Sequence, residues 1–184
     1  MVGDEFAAVM SAAQGGSEEA FSALWHDVNP ALLRYLRVIA PGMAEDVAAE
    51  TWSHVVRRLT SFRGDEAAWR AWLFTTARRR AIDAARRAAR WAAAPLEEMA
   101  AELIPAAPDA ADVALENIDT EAAIALVSAL PRLQAEVILL RVVAGLDTDV
   151  VARLLGRSPG AIRVAAHRGL RRLGGNVSRA GVTL

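Results

Sequence analysis

The sequence contains no cysteine, which excludes disulfides, thiol redox sensing and cysteine-ligated zinc. It contains no lysine either, since all 21 of its basic residues other than histidine are arginine. A preference for GC-rich codons would produce the same pattern, so the missing lysine carries no functional argument. No apolar run approaches the ~18–20 residues of a membrane span. The first residues, MVGDEFAAVM, are acidic rather than basic as in a signal peptide. We therefore expect a cytoplasmic protein.

Groups that could support catalysis are also sparse. The histidines His26, His54 and His167 are scattered, and no Ser/His/Asp set, phosphate-cradling glycine loop or metal quartet is visible. Asp46, Glu50 and His54 could share one helix face, but no second carboxylate–histidine pair completes a metal site. We expect no enzyme activity, metal, cofactor or small-molecule substrate.

What the chain has in quantity is alanine, leucine and arginine, which favour helix. Apolar residues make up 54% of the 184 positions, enough to build one compact domain or two small ones. No sustained alternation of apolar and polar residues is bounded by hairpin turns. These features predict an all-α fold.

The charges are strongly segregated along the chain, although the net charge is only −1. Residues 1–56 carry eight acids and two arginines, whereas residues 57–90 carry ten arginines and three acids. Residues 92–119 carry seven acids and no base, and residues 150–184 carry seven arginines and no acid. Two basic blocks separated by an acidic one predict two contacts with a polyanion.

Most of the first basic block lies in a segment with helical periodicity, residues 61–91. This segment also holds three of the five tryptophans. Arginines and flat rings on one face are what a nucleic-acid surface requires, for phosphates and for unstacked bases. A solvated arginine face beside core tryptophans is the alternative interpretation. On a helical wheel, the Arg/Trp arc comprises Trp69, Trp72, Thr76, Arg79, Arg80, Asp83, Arg86, Arg87 and Arg90. The opposite arc comprises Phe74, Ala77, Ala81, Ala85 and Ala88.

The second basic block has the layout of a helix-turn-helix. We expect a helix over Thr148–Leu155, a turn at Gly156-Arg157, and a second helix capped by Ser158 with Pro159 in its first position. Its outer face could enter a DNA major groove. A helical hairpin inside a bundle is the alternative. The outer face comprises Gly160, Arg163, Val164, His167 and Arg171, with Arg168 at its edge.

Two separate stretches resemble one family, the bacterial RNA polymerase sigma factors of the extracytoplasmic-function (group 4) type within the sigma-70 family. AEDVAAETW (44–52) is similar to that family's segment that binds the clamp helices of the polymerase beta-prime subunit. FRGDEAAWRAWLFTTARRRAIDAARR (62–87) resembles its −10 recognition segment, although Arg79 stands where the family often has Asn. Residues 130–173 resemble its −35 domain, with a departure at Asp-Thr-Asp-Val (147–150).

The resemblance implies two small helical domains joined by an acidic linker. Region 2 would cover residues 1–92, the linker 93–119, the region 4 helix-turn-helix 120–175, and a tail 176–184. The implied partners are core RNA polymerase, through its beta and beta-prime subunits, promoter DNA and an anti-sigma factor. The implied function is promoter recognition, DNA melting and initiation of DNA-templated transcription. The alternative is a stand-alone helix-turn-helix transcriptional regulator.

The resemblance also assigns roles to individual residues. Asp46, Glu50 and Thr51 would bind core polymerase. The −10 element would be bound by Phe62, Arg63, Trp69, Trp72, Arg78, Arg79, Arg86 and Arg87. The −35 element would be bound by Ser158, Gly160, Arg163, Val164, His167, Arg168 and Arg171.

Overall fold

The computed structural model describes residues 3–92 and 117–180, and all regular elements in these ranges are helical. This confirms the predicted all-α fold. Short 3₁₀ turns at Gly3–Glu5 and Leu59–Ser61 and a π-helical turn at Leu139–Val143 accompany the α-helices. The α-helices are α1 (Phe6–Gln14), α2 (Glu18–Ile39), α3 (Ala44–Arg58), α4 (Glu66–Ala92), α5 (Asn117–Ser128), α6 (Arg132–Ile138), α7 (Thr148–Leu155) and α8 (Pro159–Ala180).

The predicted domain boundaries can be compared with these helices only in part. Residues 93–116, most of the predicted acidic linker, lie outside the described residues. Helix α5 begins at Asn117, inside the range predicted as linker, and α8 runs to Ala180, into the range predicted as tail. Between Gly3 and Ala92, and again from Asn117 to Ala180, no helix is long and apolar enough to cross a membrane.

Side-chain caps define where several helices begin. A hydroxyl or carboxylate that accepts a backbone N–H of the first turn satisfies a donor that has no partner inside the helix. These caps position α4 and α8, the two helices that carry the basic blocks. The capping bonds run from Ala20 N to Ser17 Oγ (3.2 Å), from Ala68 N to Asp65 Oδ1 (2.8 Å) and from Ala161 N to Ser158 Oγ (3.2 Å).

The first four helices pack around an aromatic cluster centred on Trp52. Its ring contacts Phe21, Trp25 and Trp69 at centroid separations of 6.0, 6.4 and 6.4 Å. The indole Nε1 of Trp52 donates to Asn29 Oδ1 at 2.9 Å, so its polar atom is satisfied inside the core. The large buried rings hold α3 and α4 side by side.

The helix-turn-helix forms as predicted. Gly156 ends α7 with φ of 64°, in the left-handed region that glycine adopts without a steric penalty. Helix α8 crosses α6 closely at Gly169, where an added Cβ would lie 2.6 Å from Ile138 Cδ1. The inner face of α8 is therefore held against α6, and its outer face is left at the surface.

The two halves of the chain are in contact with each other. Helix α2 packs against α5, α6 and the Leu139–Val143 turn. The larger of two clusters of buried residues includes Tyr35 and Phe74 from the first half and Val137 and Leu140 from the second. The two halves of the chain thus share an interface in this structure.

Candidate nucleic-acid and polymerase interface

An open groove of about 710 Å³ runs between α3 and α4. Asp46 and Glu50, predicted to bind polymerase, both line it. Thr51 does not: its side chain is 0% exposed and its hydroxyl donates to Val47 O at 2.7 Å. Thr51 therefore presents no surface to a partner in this structure, and its place in the predicted site is corrected to a core position. Across the groove, α4 contributes Arg80, Ala84, Arg87 and Ala88.

Two predicted contact residues meet each other across this groove. Arg87 Nη2 donates to Glu50 Oε1 at 3.0 Å, and the two side chains are 45% and 43% exposed. An exposed ion pair of this kind contributes about 0–1 kcal/mol to stability. Each side chain can therefore exchange its partner for a charged group on another molecule at little cost.

A second, smaller pocket of about 380 Å³ lies where the turn before α4 meets α3. Phe62 and Trp72 stack there, with centroids 5.5 Å apart and planes 19° apart. Such a stacked pair offers aromatic surface bordered by guanidinium groups, the combination that binds an unstacked base. The lining residues are His54, Arg58, Ser61, Phe62, Arg63, Ala68 and Trp72.

Hydrogen bonds from the Arg63 side chain to backbone carbonyls stabilise the turn that builds this pocket. Its Nη1 donates to Thr60 O at 2.9 Å and to Phe62 O at 2.6 Å. Gly64 then takes φ of 148°, and a Cβ at that position would lie 2.7 Å from Ala68 Cβ and 3.3 Å from Phe62 Cζ. The turn thus depends on a residue without a side chain.

Trp69, predicted to contact −10 DNA, is a core residue with 1% of its surface exposed. Thr76 of the same Arg/Trp arc is also buried, whereas Ala85 and Ala88 of the opposite arc are exposed. The helical-wheel prediction assumed that one stripe of α4 is buried along its whole length. In the structure α4 packs against both α2 and α3. The buried face is therefore wider in the N-terminal half of α4 than the wheel predicts. Trp72, one turn on, is the tryptophan that reaches the pocket.

His54 and Arg58, which line the aromatic pocket, were not among the predicted DNA-contacting residues. Arg80, which lines the groove, was predicted only as a member of the Arg/Trp arc and was not assigned to the −10 element. Arg80 Nη2 donates to His54 Nδ1 at 3.2 Å, and the His54 ring lies 6.5 Å from that of Trp72. Burial, and then the nearby charges of Arg80, Arg58 and Arg57, lower the pKa of His54. The i, i+4 spacing of His54 and Arg58 indicates that they share one face of α3. The spacing does not show that α4 lies beside this face.

The remaining predicted −10 arginines of α4 differ in their exposure and in their contacts within the chain. Arg79 and Arg86 are exposed, and Arg86 lies 4.0 Å from Asp83 within the same helix. Arg78 instead donates from Nε to Glu136 Oε1 at 2.7 Å, a contact with the second half of the chain. Two predicted −10 residues, Arg78 and Arg87, are therefore already bound to acids.

The predicted outer face of α8 lies at the surface, separate from the pocket on α4. Ile162 and Ala165 on the inner side are buried, and Val164 is 49% exposed. This leaves a basic helix face free for a partner in this structure. The exposed members of the predicted −35 set are Ser158, Gly160, Arg163, Val164, His167, Arg168 and Arg171.

The described helices thus present two separate basic surfaces. One is the groove and aromatic pocket on α3 and α4, and the other is the outward face of α8. Family comparison agrees. Sigma-70 region 2 matches residues 19–91, and sigma-70 region 4 matches residues 120–173.

Characterised relatives extend this match over the whole chain. It is 32% identical over 187 residues to the ECF RNA polymerase sigma factor SigD of Mycobacterium tuberculosis, covering 98% of this chain and 88% of that protein. It is 35% identical over 181 residues to the ECF RNA polymerase sigma factor ShbA of Streptomyces griseus, covering 91% and 92%. The chain belongs to the extracytoplasmic-function sigma factors of the sigma-70 family.

Solved structures share its fold. CnrH, in complex with the cytosolic domain of CnrY, superposes with a TM-score of 0.61 at 19% identity, covering 96% of this chain and 99% of that one. The sigma factor RpoE of Bartonella quintana, in complex with the anti-sigma factor NepR, gives a TM-score of 0.58 at 22% identity, covering 83% and 93%.

Proposed function

We propose that this chain is a promoter-specificity subunit that binds core RNA polymerase, recognises −10 and −35 elements and helps to melt DNA. The observation that carries this proposal is the presence of two basic DNA-type surfaces, on α4 and α8, in one chain. Both surfaces fall within the matched sigma regions. Polymerase performs the chemistry of RNA synthesis, so this subunit needs no catalytic group. Its place of action is then the cytoplasm, where polymerase and promoter DNA meet.

The pocket before α4 is suited to capture a base of the non-template strand. Flipping a base out of the stack costs a few kcal/mol. Stacking against an aromatic side chain returns ~1–3 kcal/mol. The Phe62 and Trp72 rings supply that surface, and Arg58 and Arg63 at the rim of the pocket favour the flanking phosphates.

The rest of α4 would hold the duplex next to the melted bases. Arg79 and Arg86 are exposed and need no rearrangement to reach phosphates. Arg87 becomes available to a phosphate when Glu50 pairs with another cation. We infer that basic residues of polymerase take over Glu50 and Asp46, so that binding of polymerase strengthens binding of −10 DNA.

Helix α8 would read the −35 element from the major groove. Arginine there pairs with guanine or phosphate, and Val164 suits a thymine methyl group. The cap at Ser158 leaves the positive end of the helix dipole facing the groove, where a DNA phosphate can lie. Gly160 permits close approach of the helix to the DNA backbone.

We further infer that an anti-sigma factor regulates this chain. The sigma factor RpoE of Bartonella quintana, whose fold this chain shares, was solved in complex with the anti-sigma factor NepR. The stand-alone regulator is not favoured, because a sensing domain has no need of the second basic face on α4 and would not match sigma region 2.

Run-off transcription with purified core polymerase on a pool of promoters tests the proposal. We expect specific transcripts when the chain and polymerase are combined, and only weak, salt-sensitive DNA binding by the chain alone. Tight specific binding without polymerase, together with no transcript in its presence, would support the regulator instead.

A pair of α8 variants tests the assignment of the −35 surface. Arg163→Ala should weaken initiation at −35-dependent promoters by about tenfold or more, since one good base contact contributes ~1–3 kcal/mol. Arg172→Ala is the matched control, because Arg172 lies on the same helix but donates to Gln134 Oε1 at 3.3 Å rather than facing outward with Arg163. Equal losses in the two variants would contradict the assignment.

A further inference from the structure

Helix α1 reaches the turn before α4, although it lies outside residues 19–91, the part of the chain that matches sigma region 2. It packs against α2 and against the 3₁₀ turn Leu59–Ser61. The buried side chains of Phe6, Met10 and Ala13 anchor it in the core. The C-terminal end of α1 is therefore held at a fixed position beside that turn.

Gln14, the last residue of α1, joins this helix to both ends of the turn. Its Nε2 donates to Leu59 O and to Phe62 O, each at 2.9 Å. A side-chain amide has two N–H donors, so both are used in these bonds. Leu59 O also accepts from Phe62 N at 3.0 Å, and Phe62 O also accepts from Arg63 Nη1 at 2.6 Å. Each carbonyl oxygen thus accepts two hydrogen bonds, which fixes the backbone of the turn.

The start of α4, on the other side of the turn, is also attached to the N-terminal residues. Glu66 Oε2 accepts from Gly3 N at 3.0 Å, and Glu66 Oε1 accepts from Arg70 Nε at 3.3 Å. Arg70 is buried and donates in addition to Asp27 of α2. Residues 3–14 therefore contact the chain both before and after the turn that leads into α4.

Side-chain donors hold the backbone oxygen of Phe62, which lies between the 3₁₀ turn and α4. Phe62 is extended there, with φ of −65° and ψ of 138°. In this conformation its ring stacks on Trp72 at a centroid distance of 5.5 Å. A surface that is already in place avoids the ordering cost that a mobile side chain adds to binding. The two bonds from Gln14 therefore favour capture of a base that Gln14 itself does not touch.

Resting on the proposed function, we propose that Gln14 is a positioning residue of the −10 base pocket. It holds the backbone of Leu59 and Phe62 so that the Phe62 ring already stacks on Trp72 before DNA arrives. The captured base of the non-template strand then stacks on a preformed surface. Residues 3–14 thereby take part in promoter recognition through the turn, rather than through a contact with DNA.

Gln14→Met and Gln134→Met form a matched pair of variants in the full-length chain. Methionine is close to glutamine in length but has no hydrogen-bond donor. Gln134 is also half-buried and also loses a side-chain bond, but it lies on α6 and contacts Arg172 instead of the turn. With core polymerase and a fluorescent −10 fork-junction DNA, Gln14→Met should bind about five- to tenfold more weakly than the wild type, as expected when one or two hydrogen bonds are lost. Gln134→Met should bind like the wild type.

Abasic substitutions in the DNA separate positioning of the pocket from a general loss of stability. Each base of the non-template −10 strand is removed in turn, and the ratio of affinities for intact and abasic DNA is measured for each protein. The wild-type ratio should be about fivefold or more at the captured base, which is held by aromatic stacking. For Gln14→Met the ratio at that position alone should fall to about twofold or less, because both changes remove the same contact. A change in the folded fraction cancels from the ratio, because both affinities come from one protein preparation.

Gln14→Lys tests whether hydrogen-bond donors at this position carry the effect. The lysine ammonium has three donors and should restore the wild-type ratio at the captured base. If Gln14→Met keeps the wild-type ratio, or if Gln14→Lys behaves like Gln14→Met, the positioning role is refuted. Specific run-off transcripts from the wild-type chain with core polymerase would still uphold the proposed function in that case. Absence of transcripts with the wild type would refute the function itself.

Discussion

Three arginines of α4 that are suited to DNA phosphates are already bound to partners within the chain. Arg78 contacts Glu136, Arg80 contacts His54, and Arg87 contacts Glu50. Binding of DNA is therefore an exchange of partners rather than the addition of contacts to free side chains. We expect these contacts to lower the affinity of the isolated chain for DNA, which suits a subunit that acts together with polymerase.

Substitution of Phe62 is the most direct test of the proposed base pocket. Phe62→Ala removes the ring that stacks on Trp72, and we expect promoter melting by the reconstituted polymerase to fall about tenfold or more, because base–aromatic stacking contributes ~1–3 kcal/mol. Permanganate reactivity of unpaired thymines measures the effect. Val56→Ala, at a 55% exposed position of α3, serves as the control. Wild-type melting by Phe62→Ala would remove the pocket from the mechanism.

His54 predicts a pH dependence of stability. Its pKa lies below the ordinary value of 6.5, mainly because of burial and the charge of Arg80. As pH falls below about 6.5, the unfolded chain therefore takes up a proton more readily than the folded one, and stability declines until the folded pKa is passed. Thermal unfolding of the wild type and of His54→Gln measures this loss of stability. The range from about pH 7.5 to about pH 5 spans the ordinary histidine pKa of about 6.5. Parallel curves for the two proteins would contradict the prediction.

At the scale of elements, helix α4 shows how one helix serves two purposes. Its first half is buried on two sides and supplies Trp69, Leu73 and Phe74 to the core. Its second half carries Arg79 and Arg86 on open surface. The turn before it connects these functions, since the position of Phe62 depends on how the chain enters the helix.

Gly64 makes that turn sensitive to a single methyl group. Gly64→Ala places a Cβ 2.7 Å from Ala68 Cβ at φ of 148°, so we expect a loss of about 1–3 kcal/mol in the free energy of unfolding. Chemical denaturation of the full chain measures it. Gly16→Ala is the control, because Gly16 also has positive φ, 95°, but nothing lies within 4 Å of its added Cβ. A smaller loss at Gly64 than at Gly16 would show that the turn relaxes freely.

At the scale of the whole molecule, the interface between the two regions can be followed through Tyr35, the one tyrosine of the chain. Burial, and then the charge and hydrogen bond of Glu136, raise the pKa of Tyr35 well above its ordinary value of 10.0. The unfolded chain therefore loses this proton first, and stability falls as pH rises through about 10. Absorbance at the tyrosinate band should show ionisation that coincides with unfolding. An exposed phenol has a pKa of about 10, so ionisation near that pH in the folded chain would contradict the buried contact between Tyr35 and Glu136.

Much of the local structure follows from the sequence alone. The caps at Ser17 and Ser158, the turn at Gly156 and the outward face of α8 are set by interactions within a few residues, and the structure has all of them. The motifs at residues 44–52, 62–87 and 130–173 likewise resembled those of the sigma family. Such features are predictable because periodicity and capping act over one or two helical turns.

Only the tertiary structure decided the burial of Trp69 and Thr51, the Phe62–Trp72 pocket and the contacts of Glu136. Each depends on which helix lies beside which, and Glu136 meets Tyr35 across 101 positions of sequence. A wheel assigns a residue to a face, but it cannot show that two faces of one helix are covered by different neighbours. The sequence thus determined the elements and the family, whereas packing determined which arginines are free to meet DNA.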